Sequence, residues 1–256
     1  MNQIRLSSPA KVNLTLDIAD KSTSGYHRMQ SIMMPIQLHD TILIRENNNK
    51  GIALRTKGLV CPQGCENSAY KAAELFYGAA KIRPAVTITL NKRIPLASGL
   101  GGGSSNAATV LVGLNELYGS PLSAKKLLQL AKKIGMDTPF FLNPTLALAT
   151  HFGEKITPIV RKNSALPRVL LFPQKGKKKS TTFAYSSLDL SLCNKKKEST
   201  KRLLNFLKKS PKAWDSGWNA LLHNDFEQLY LSTSTNQKTE KTHLTGAGPM
   251  RFMIRE

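Results

Sequence analysis

Apolar and polar residues alternate in several short stretches of the chain, which is the pattern of half-buried β-strands. The period of two is clearest in residues 12–18, where Val, Leu and Ile occupy every second position. It recurs in residues 41–45 and 86–90, and residues 146–151 and 169–172 are further apolar stretches of strand length. The pattern therefore predicts strands distributed over most of the chain.

Helical spacing marks the segments between these strands. Ala72, Phe76 and Ala80 recur at i, i+4 and i+8, which predicts a helix that Asn67 caps and that runs to residue 81. Further helices are predicted for residues 107–118, 123–133, 200–208 and 218–229. Because strands and helices mix without strict βαβ regularity, the chain is predicted to have an α+β architecture.

A change of composition predicts how the chain divides into domains. Residues after 160 are strongly basic, and Pro167 interrupts the chain shortly afterwards. These features place a boundary between residues 160 and 168. We accordingly expect one domain in residues 1–160 and a second, basic domain in residues 161–256.

The charge of the chain raises the question of a nucleic-acid partner. The 256 residues include 37 Lys+Arg against 16 Asp+Glu, a formal charge of +21. Clustered cations bind phosphates by releasing counterions. However, residues 161–212 alone hold 15 basic and 2 acidic residues, and their lysine runs at 177–179 and 195–197 contain no interleaved aromatic residue. This is typical of solvated loop charge, and no nucleic-acid partner is expected.

Composition excludes several other classes of protein. With 41% hydrophobic residues the chain is not wholly disordered, and no apolar run approaches the roughly 20 residues that span a bilayer. The N-terminus lacks the pattern of a secretory signal. Cys61 and Cys65 have no Cys/His pair at suitable spacing, which predicts a turn with free thiols and no metal site. A cytoplasmic protein is expected.

The strongest local signal is the segment PLASGLGGGSSNAA at residues 95–108, with glycines at 99, 101, 102 and 103. Glycines let a bulky anion approach the backbone, and the helix that follows directs its N-terminal N–H groups and its dipole toward the same place. The segment therefore predicts a phosphate cradle. It lacks the signatures of a Walker A loop and of a dinucleotide fold. A flexible turn is the plainer alternative, but a linker needs neither the strand before it nor the helix after it.

Three other groups of polar residues are ambiguous by themselves. Lys11 and Asn13 open the first predicted strand, Tyr26 and His27 follow a turn, and Asp137 follows a helix end. A structural lysine, a packed ring beside a surface histidine, and a helix cap would explain them as ordinary parts of a fold.

Taken together, these segments resemble the GHMP kinase superfamily in order and spacing, and within it the branch that acts on a CDP-linked methylerythritol. The resemblance rests on residues 9–14 (PAKVNL), 25–27 (GYH), 95–108 and 135–141 (GMDTPFF), and it covers residues 5–160 well and the rest loosely. It implies the two-domain GHMP kinase fold. The N-terminal domain would resemble domain 2 of ribosomal protein S5, and the C-terminal domain would be a shortened ferredoxin-like domain.

The resemblance also implies an activity, the ATP-dependent phosphorylation of the 2-hydroxyl of this small-molecule substrate, with Mg²⁺ bridging the phosphates. Asp137 is then the general base, and Lys11 supports it and balances the negative charge that develops. Asn67 would lie near the adenine, a role that competes with helix capping. The other implied ATP-binding residues are Pro95, Leu96, Ala97, Ser98, Gly99, Leu100, Gly101, Gly102, Gly103, Ser104 and Ser105.

The substrate-binding residues are likewise implied by the resemblance. Tyr26 and His27 would meet the cytosine, because an aromatic ring stacks on a base and an imidazole bonds its edge. Asn13 would orient the polyol or the phosphates. In the second domain, Thr181 and Tyr185 match a segment that supplies a hydroxyl and a second stacking ring.

The last glycine motif departs from the family pattern. Residues 244–248 (LTGAG) keep the glycines, but Pro249 stands where a small polar residue is usual, and only residues 250–256 follow. Proline removes a backbone donor and restricts Gly248. We therefore expect either a pared-down second domain or a gene product that is shortened and marginal. The alternatives are a GHMP kinase for another small alcohol, a nucleic-acid-binding protein on a decayed kinase scaffold, and an inactive regulatory relative.

Overall fold

The structure is a computed structural model that describes residues 2–23, 25–48, 50–160, 166–173, 181–209, 216–230 and 242–255. It contains two compact units. The first comprises Met1–Ala10, Leu38–Leu96 and Gly101–Pro144, and the second comprises Lys11–Gln37, Ala97–Leu100 and Thr145–Glu256. These units differ from the predicted domains 1–160 and 161–256. The difference arises because most of the first hairpin packs with the residues after 144.

The described residues form strands β1 (Gln3–Lys21), β2 (His27–Glu46), β3 (Gly51–Gly58), β4 (Ala85–Lys92), β5 (Ala147–Thr150), β6 (Lys155–Pro158), β7 (Arg168–Pro173), β8 (His223–Asn224), β9 (His243–Leu244) and β10 (Met250–Arg255). The α-helices are α1 (Ser68–Ala80), α2 (Gly102–Leu117), α3 (Ala124–Ile134), α4 (Thr181–Ser186) and α5 (Glu198–Lys209). Short 3₁₀ helices occupy Gly64–Glu66, Thr138–Leu142, Ser216–Leu221 and Asp225–Leu229. The predicted mixture of α and β elements is confirmed.

The first unit is built on strands in the order β3, β4, β2, β1. Strands β3 and β4 are parallel, whereas β2 and β4 are antiparallel with Ile44 opposite Ile88. In residues 10–19 of β1 both faces are buried, whereas in β4 and in β2 from residue 40 the buried residues alternate on one face, as the period of two predicts. They form one core with α1, α2 and α3, whose fully buried members include Ile42, Ile44, Val86, Ile88, Phe76, Val110 and Leu114.

The helix boundaries of the first unit follow their sequence signals. The Asn67 side chain accepts a hydrogen bond from Ala69 N at 2.9 Å and so caps α1, which ends at Lys81 in a left-handed conformation. The Ser123 hydroxyl accepts from Lys126 N at the start of α3, and Gly135 caps its end. These predicted helices and their caps are confirmed.

The second unit has strands in the order β6, β5, β2, β1, β8, and a separate antiparallel sheet in the order β7, β10, β9. The predicted helix at residues 218–229 is wrong. Two 3₁₀ helices flank the short strand β8 there, which pairs in parallel with β1 through His223 opposite Thr15. The Asn224 side chain caps the second of these helices by accepting from Phe226 N at 3.0 Å. A capping asparagine in mid-segment competes with a continuous helix.

A buried polar network joins β1 to α5 and to the residues of and just after β8 in the second unit. Asp17 accepts from Thr200 N at 2.8 Å, and Asp225 accepts from Ile18 N at 2.6 Å. His223 Nε2 lies 2.8 Å from Asp225 Oδ1 and 3.9 Å from Asp17 Oδ1. These three side chains lie close enough together to hold a metal ion, but their carboxylate oxygens already accept hydrogen bonds from backbone N–H groups and from the Asn194 side chain. We therefore interpret the cluster as an ion-pair network.

The network should make the stability of the second unit depend on pH. The hydrogen bond to Asp225 raises the pKa of His223, and burial raises the pKa of Asp17. A raised folded-state pKa contributes stability below the unfolded value, about 6.5 for histidine, and that stability is lost as the pH rises through the folded value. We expect the free energy of unfolding, measured by urea denaturation, to fall as the pH rises above about 6.5, and His223→Gln to flatten this slope.

A second histidine in the same unit provides a control of opposite sign. Burial lowers the pKa of His27, so this residue makes the unit more stable as the pH rises. His27→Gln should therefore remove a rise in stability that lies below about pH 6.5, and leave unchanged the fall above that pH that His223→Gln removes. A slope that neither substitution changes would show that these histidines do not govern it.

Candidate functional site

The glycine-rich loop leads directly into helix α2. Ala97, Gly99 and Gly101 have left-handed φ values of 55°, 85° and 73°, so the chain turns sharply before the helix begins at Gly102. The first intrahelical bond, Ser105 N to Gly101 O at 2.9 Å, leaves the N–H groups of residues 102–104 at the helix start. Gly103 is exposed there. An anion can therefore approach the backbone donors and the positive end of the helix dipole.

Lys11 and Asn13 converge on this loop within the second unit. Lys11 Nζ donates to Gly99 O at 2.8 Å and to Asn13 Oδ1 at 2.6 Å, although Lys11 is only 2% exposed. The Lys11 backbone N–H also donates to Leu100 O at 3.0 Å. From the sequence alone, Lys11 is also explained as an ordinary structural lysine exposed to solvent. Its burial and its bonds instead hold the ammonium group at the glycine loop.

The glycine loop packs backbone against backbone on the last glycine motif, residues 244–248, which is called the third glycine motif below. A Cβ atom on Gly99 would collide with the carbonyl oxygen of Thr245, and one on Gly246 would lie 3.0 Å from Gly99 O. A Cβ on Gly248 would lie 3.1 Å from the carbonyl carbon of Ser98. The glycines are needed here because only a chain without side chains permits this approach.

Asparagine side chains hold the third glycine motif in place. Asn13 Oδ1 accepts from Gly246 N at 3.0 Å, and Asn224 Nδ2 donates to Gly246 O at 2.9 Å. The turn is closed by Thr245 N donating to Met250 O at 3.0 Å. The loop therefore forms although Pro249 departs from the family pattern. Asn13, predicted to orient the substrate, organises this loop in the structure, and its substrate contact stays a prediction.

A buried ion pair lies beneath the start of α2 in the first unit. Lys92 Nζ donates to Asp40 Oδ2, and the two side chains are 2% and 0% exposed. Asp40 also accepts from Ile94 N at 2.8 Å and from Asn106 Nδ2 at 2.8 Å. Lys92 Nζ would lie 2.8 Å from a Cβ on Gly102, which shows how closely the cation packs under the first helical turn.

Sequence reasoning missed this ion pair although the strand pattern contained a signal for it. Lys92 continues the buried alternation of Val86, Ile88 and Leu90, and Asp40 is in phase with the buried Ile42 and Ile44. A charge on the apolar face of a strand is rarely buried without a partner. The sequence therefore marks each charge as one that needs a buried partner, and the pairing of β2 with β4 in the structure shows that each is the partner of the other.

Asp137 lies between α3 and the following 3₁₀ helix. It is half-buried, and as the N-terminal residue of Thr138–Leu142 its carboxylate makes no capping hydrogen bond. The alternative that Asp137 serves as a helix cap is therefore not supported by the structure. Asp137 and Lys11 belong to different units, and their pairing stays a prediction.

The Asn67 side chain has a structural role, because its polar atoms make hydrogen bonds within the protein. Its amide oxygen caps α1, its Nδ2 donates to Pro62 O at 2.8 Å, and the residue is 6% exposed. The adenine contact of Asn67 stays a prediction beside the capping role that the structure describes.

The cysteines of the chain form no disulfide among the described residues. Cys61, Cys65 and Cys193 are free thiols.

Aromatic rings gather around the predicted substrate residues of the second unit. His27 stacks on Tyr185 with ring centroids 5.2 Å apart, and Tyr26, 55% exposed, lies 5.7 Å from Phe152. Tyr185 also meets Phe226 edge-on at 4.9 Å. The structure thus places the Tyr26 ring beside Phe152 and the His27 ring beside Tyr185, and these two ring contacts, which involve neighbouring residues 26 and 27, are called the aromatic group below. Sequence reasoning missed Phe152 and Phe226, which no motif distinguishes from ordinary core residues.

Some predicted positions can be placed only in part. Thr181 begins α4, but its side chain lies outside the described residues, as do Lys177–Lys179. The run at 195–197 precedes α5 on the surface. Among the helices of the described part of the chain, none is long and apolar enough to cross a membrane.

The fold and the glycine-loop site define a kinase of the GHMP class. A family model of the GHMP kinase N-terminal domain matches residues 67–143, which include α1, the glycine loop, α2 and Asp137. A solved mevalonate kinase from Methanococcus jannaschii shares the fold, with a TM-score of 0.65 and 17% identity over 100% of this chain and 91% of that one.

More similar proteins define the family within this class. A 4-diphosphocytidyl-2-C-methyl-D-erythritol kinase from Pelotomaculum thermopropionicum is 39% identical over 80% of this chain and 70% of its own length. The crystal structure of a 4-(cytidine 5'-diphospho)-2C-methyl-D-erythritol kinase matches with a TM-score of 0.76 and 28% identity, over 99% of this chain and 90% of that one. The chain belongs to the 4-diphosphocytidyl-2-C-methyl-D-erythritol kinase family. The predicted resemblance and fold are confirmed.

The similarity does not extend over the full length of every relative. The kinase of the same name from Alkaliphilus oremlandii is 43% identical over 192 residues, which are 75% of this chain and 65% of that protein. The chain thus spans just under two thirds of the length of this relative.

The close packing of the glycine motifs yields a prediction for stability. Gly99→Ala should strongly destabilise the protein, because its Cβ would collide with the Thr245 backbone and because alanine disfavours a φ of 85°. Gly78→Ala is the matched control, since Gly78 is an exposed helical residue with no atom within 4 Å of the added Cβ. Thermal unfolding should show a lower midpoint for Gly99→Ala and a slightly higher one for Gly78→Ala. Equal midpoints would contradict the packing described.

The buried ion pair yields a second prediction for stability. Asp40→Ala leaves the Lys92 ammonium buried without its carboxylate and should lower the free energy of unfolding by about 3–5 kcal/mol. Asp20→Ala is the control, because its ion pair with Arg28 is more than half exposed on both sides and should contribute less than about 1 kcal/mol. Chemical denaturation of both variants measures the difference. Equal losses would show that burial does not govern the Asp40–Lys92 interaction.

Proposed function

We propose that the protein transfers the γ-phosphoryl group of ATP to the 2-hydroxyl of 4-diphosphocytidyl-2-C-methyl-D-erythritol. The names of its relatives give the substrate, and the glycine loop followed by the start of α2 gives an anion-binding backbone. The proposal includes the cytoplasm as the place of action. Three free cysteines are consistent with a reducing compartment.

The observation that carries the proposal is the buried ammonium group of Lys11 at the carbonyl of Gly99. Burying a lysine is unfavourable unless its charge is compensated. Here the cation is kept at the loop that is best suited to bind phosphate. A purely structural lysine would be more stable with its ammonium group in solvent. The position suits a cation that balances negative charge on a transferring phosphoryl group.

The chain supplies the parts that phosphoryl transfer requires. The residues predicted to bind ATP are those of the loop and the first turn of α2, where glycines leave room for the triphosphate. Asp137 would accept the proton of the substrate hydroxyl as it attacks, and Lys11 would orient that hydroxyl and balance the developing charge. Positioning and charge neutralisation provide most of the rate enhancement in this type of reaction.

Magnesium would be held through the nucleotide. The residues present fit such a complex, since the exposed Gly103 and the half-buried Ser104 leave the first turn of α2 open to phosphate oxygens. Mg²⁺ is commonly bound through substrate phosphates and few protein ligands. When bound, it supplies charge neutralisation at the β- and γ-phosphates.

The aromatic group suits the cytosine end of the substrate. Tyr26 is exposed and can stack on a base, and the neutral imidazole of His27 is favoured because burial lowers its pKa. A neutral imidazole offers one donor and one acceptor to the polar edge of a base. Since His27 and Tyr185 stack on each other, we propose that substrate binding changes the position of the Tyr185 ring.

The proposed function is tested by assaying ATP-dependent phosphorylation of 4-diphosphocytidyl-2-C-methyl-D-erythritol with Mg²⁺. Wild type should form the phosphorylated product, and Asp137→Asn should lower kcat by about 10²–10⁴-fold, because it removes the general base while keeping the side-chain size. Asp20→Asn, at an exposed carboxylate, is the control and should be active. A folded wild-type protein without turnover on this substrate would refute the proposal, and turnover of homoserine or a mevalonate derivative would redirect it to another alcohol.

A further inference from the structure

The Thr138 side chain differs from most buried polar side chains of the protein because its hydroxyl makes no hydrogen bond to a described residue. Thr138 is 0% exposed, and its Oγ1 has no hydrogen-bond partner among the residues that the structure describes. Leaving a buried hydroxyl unsatisfied is unfavourable for folding, whereas an isosteric valine would avoid the loss. Such a group needs an explanation other than stability of the ligand-free protein.

The position of the hydroxyl relates it to the start of helix α2. A Cβ atom on Gly135 would lie 3.4 Å from Thr138 Oγ1 and 3.8 Å from Ser104 Oγ. The two hydroxyl groups therefore border the same space, which the glycine leaves open. Ser104 lies in the first turn of α2 and is half-buried. Thus a buried hydroxyl without a described partner lies close to the first turn of α2.

We propose that Thr138 is a positioning residue of the nucleotide site that acts through Ser104. When a phosphate binds at the first turn of α2, the Ser104 hydroxyl donates to a phosphate oxygen, and the Thr138 hydroxyl donates to Ser104 Oγ. A hydroxyl oxygen can accept while its proton is donated elsewhere, and such a chain strengthens both bonds. The hydroxyl without a partner in the free protein gains one on binding. This inference rests on the proposed function, because it assigns the anion to the nucleotide.

The test compares Thr138→Val with Thr138→Ser in binding Mg²⁺ with a non-hydrolysable ATP analogue, measured by calorimetry. Thr138→Val should raise the Kd about tenfold, the loss expected when one hydrogen bond is removed from a chain that ends on a charged group. Thr138→Ser keeps the hydroxyl and should bind like wild type. In the assay of phosphoryl transfer, Thr138→Val should raise KM for ATP more than it lowers kcat.

Stability distinguishes this role from a merely structural one. Thr138→Val should raise the thermal midpoint of the ligand-free protein, because it removes an unsatisfied buried hydroxyl. The matched control is Thr200→Val, since Thr200 is also buried but its hydroxyl lies 2.8 Å from Thr15 Oγ1. That substitution should lower the midpoint and leave analogue binding unchanged. A structural role for Thr138 would instead lower the midpoint in the same way.

Gly135→Ala tests the space between the two hydroxyls. Gly135 has an extended φ of 176°, which alanine adopts readily, and the added methyl makes only ordinary contacts. The variant should fold normally but separate Ser104 from Thr138, and so weaken analogue binding like Thr138→Val. Thr138→Val should have no additional effect on binding in a Ser104→Ala background.

The outcomes separate this inference from the proposed function. If wild type binds the analogue without phosphorylating the substrate, the proposed function fails, while the binding data on Thr138 still decide the inference. Unchanged binding by Thr138→Val, equal weakening by Thr138→Ser, or additive effects with Ser104→Ala would each overturn it. A wild-type protein that does not bind the analogue would overturn it as well.

Discussion

The buried ion pair between Asp40 and Lys92 is the constraint on which the architecture of the first unit depends. A charge in the interior requires a partner and further hydrogen bonds, and Asp40 obtains them from the backbone of residues 93 and 94 and from Asn106. These bonds tie the end of β4 to the first two turns of α2. The helix therefore cannot begin elsewhere without exposing the pair. The position of the first turn of α2, predicted to bind an anion, is thus supported by an ion pair that lies beneath it.

In the second unit, close backbone packing holds the glycine loop. Asn13 accepts from the backbone of the third glycine motif, and Lys11 donates to the carbonyl of Gly99. Glycines allow the two loops to approach until main-chain atoms touch, so each loop limits the conformations of the other. A lysine that approaches the loop from β1 then has one favourable place for its ammonium group. Loop geometry and the position of the cation are set by the same contacts.

The parts of this arrangement that the sequence predicts are those with a local cause. Asn67 and Ser123 cap helices through hydrogen bonds to residues two and three positions away. The glycine segment likewise predicts the turn before α2 from its own residues. Long-range pairs are harder to predict, because Asn13 meets Gly246 across 233 positions and Asp17 meets Thr200 across 183. The pairing of Asp40 with Lys92 lies between these cases. Each charge is out of place on an apolar strand face, so the sequence marks both residues without saying that they meet.

The formal charge of +21 has little to do with how the proposed site would hold a triphosphate. Two lysines of the protein are buried near the glycine segment. Lys92 is neutralised by Asp40, and Lys11 donates to the backbone oxygen of Gly99 and to the side-chain oxygen of Asn13. The backbone N–H groups at the start of α2 and neutral hydroxyls are then the groups best placed to meet the phosphates. Neutral donors that are already oriented lose little entropy and need no compensating carboxylate. The surface charge acts at longer range, where a positive field brings anionic substrates to the protein more often.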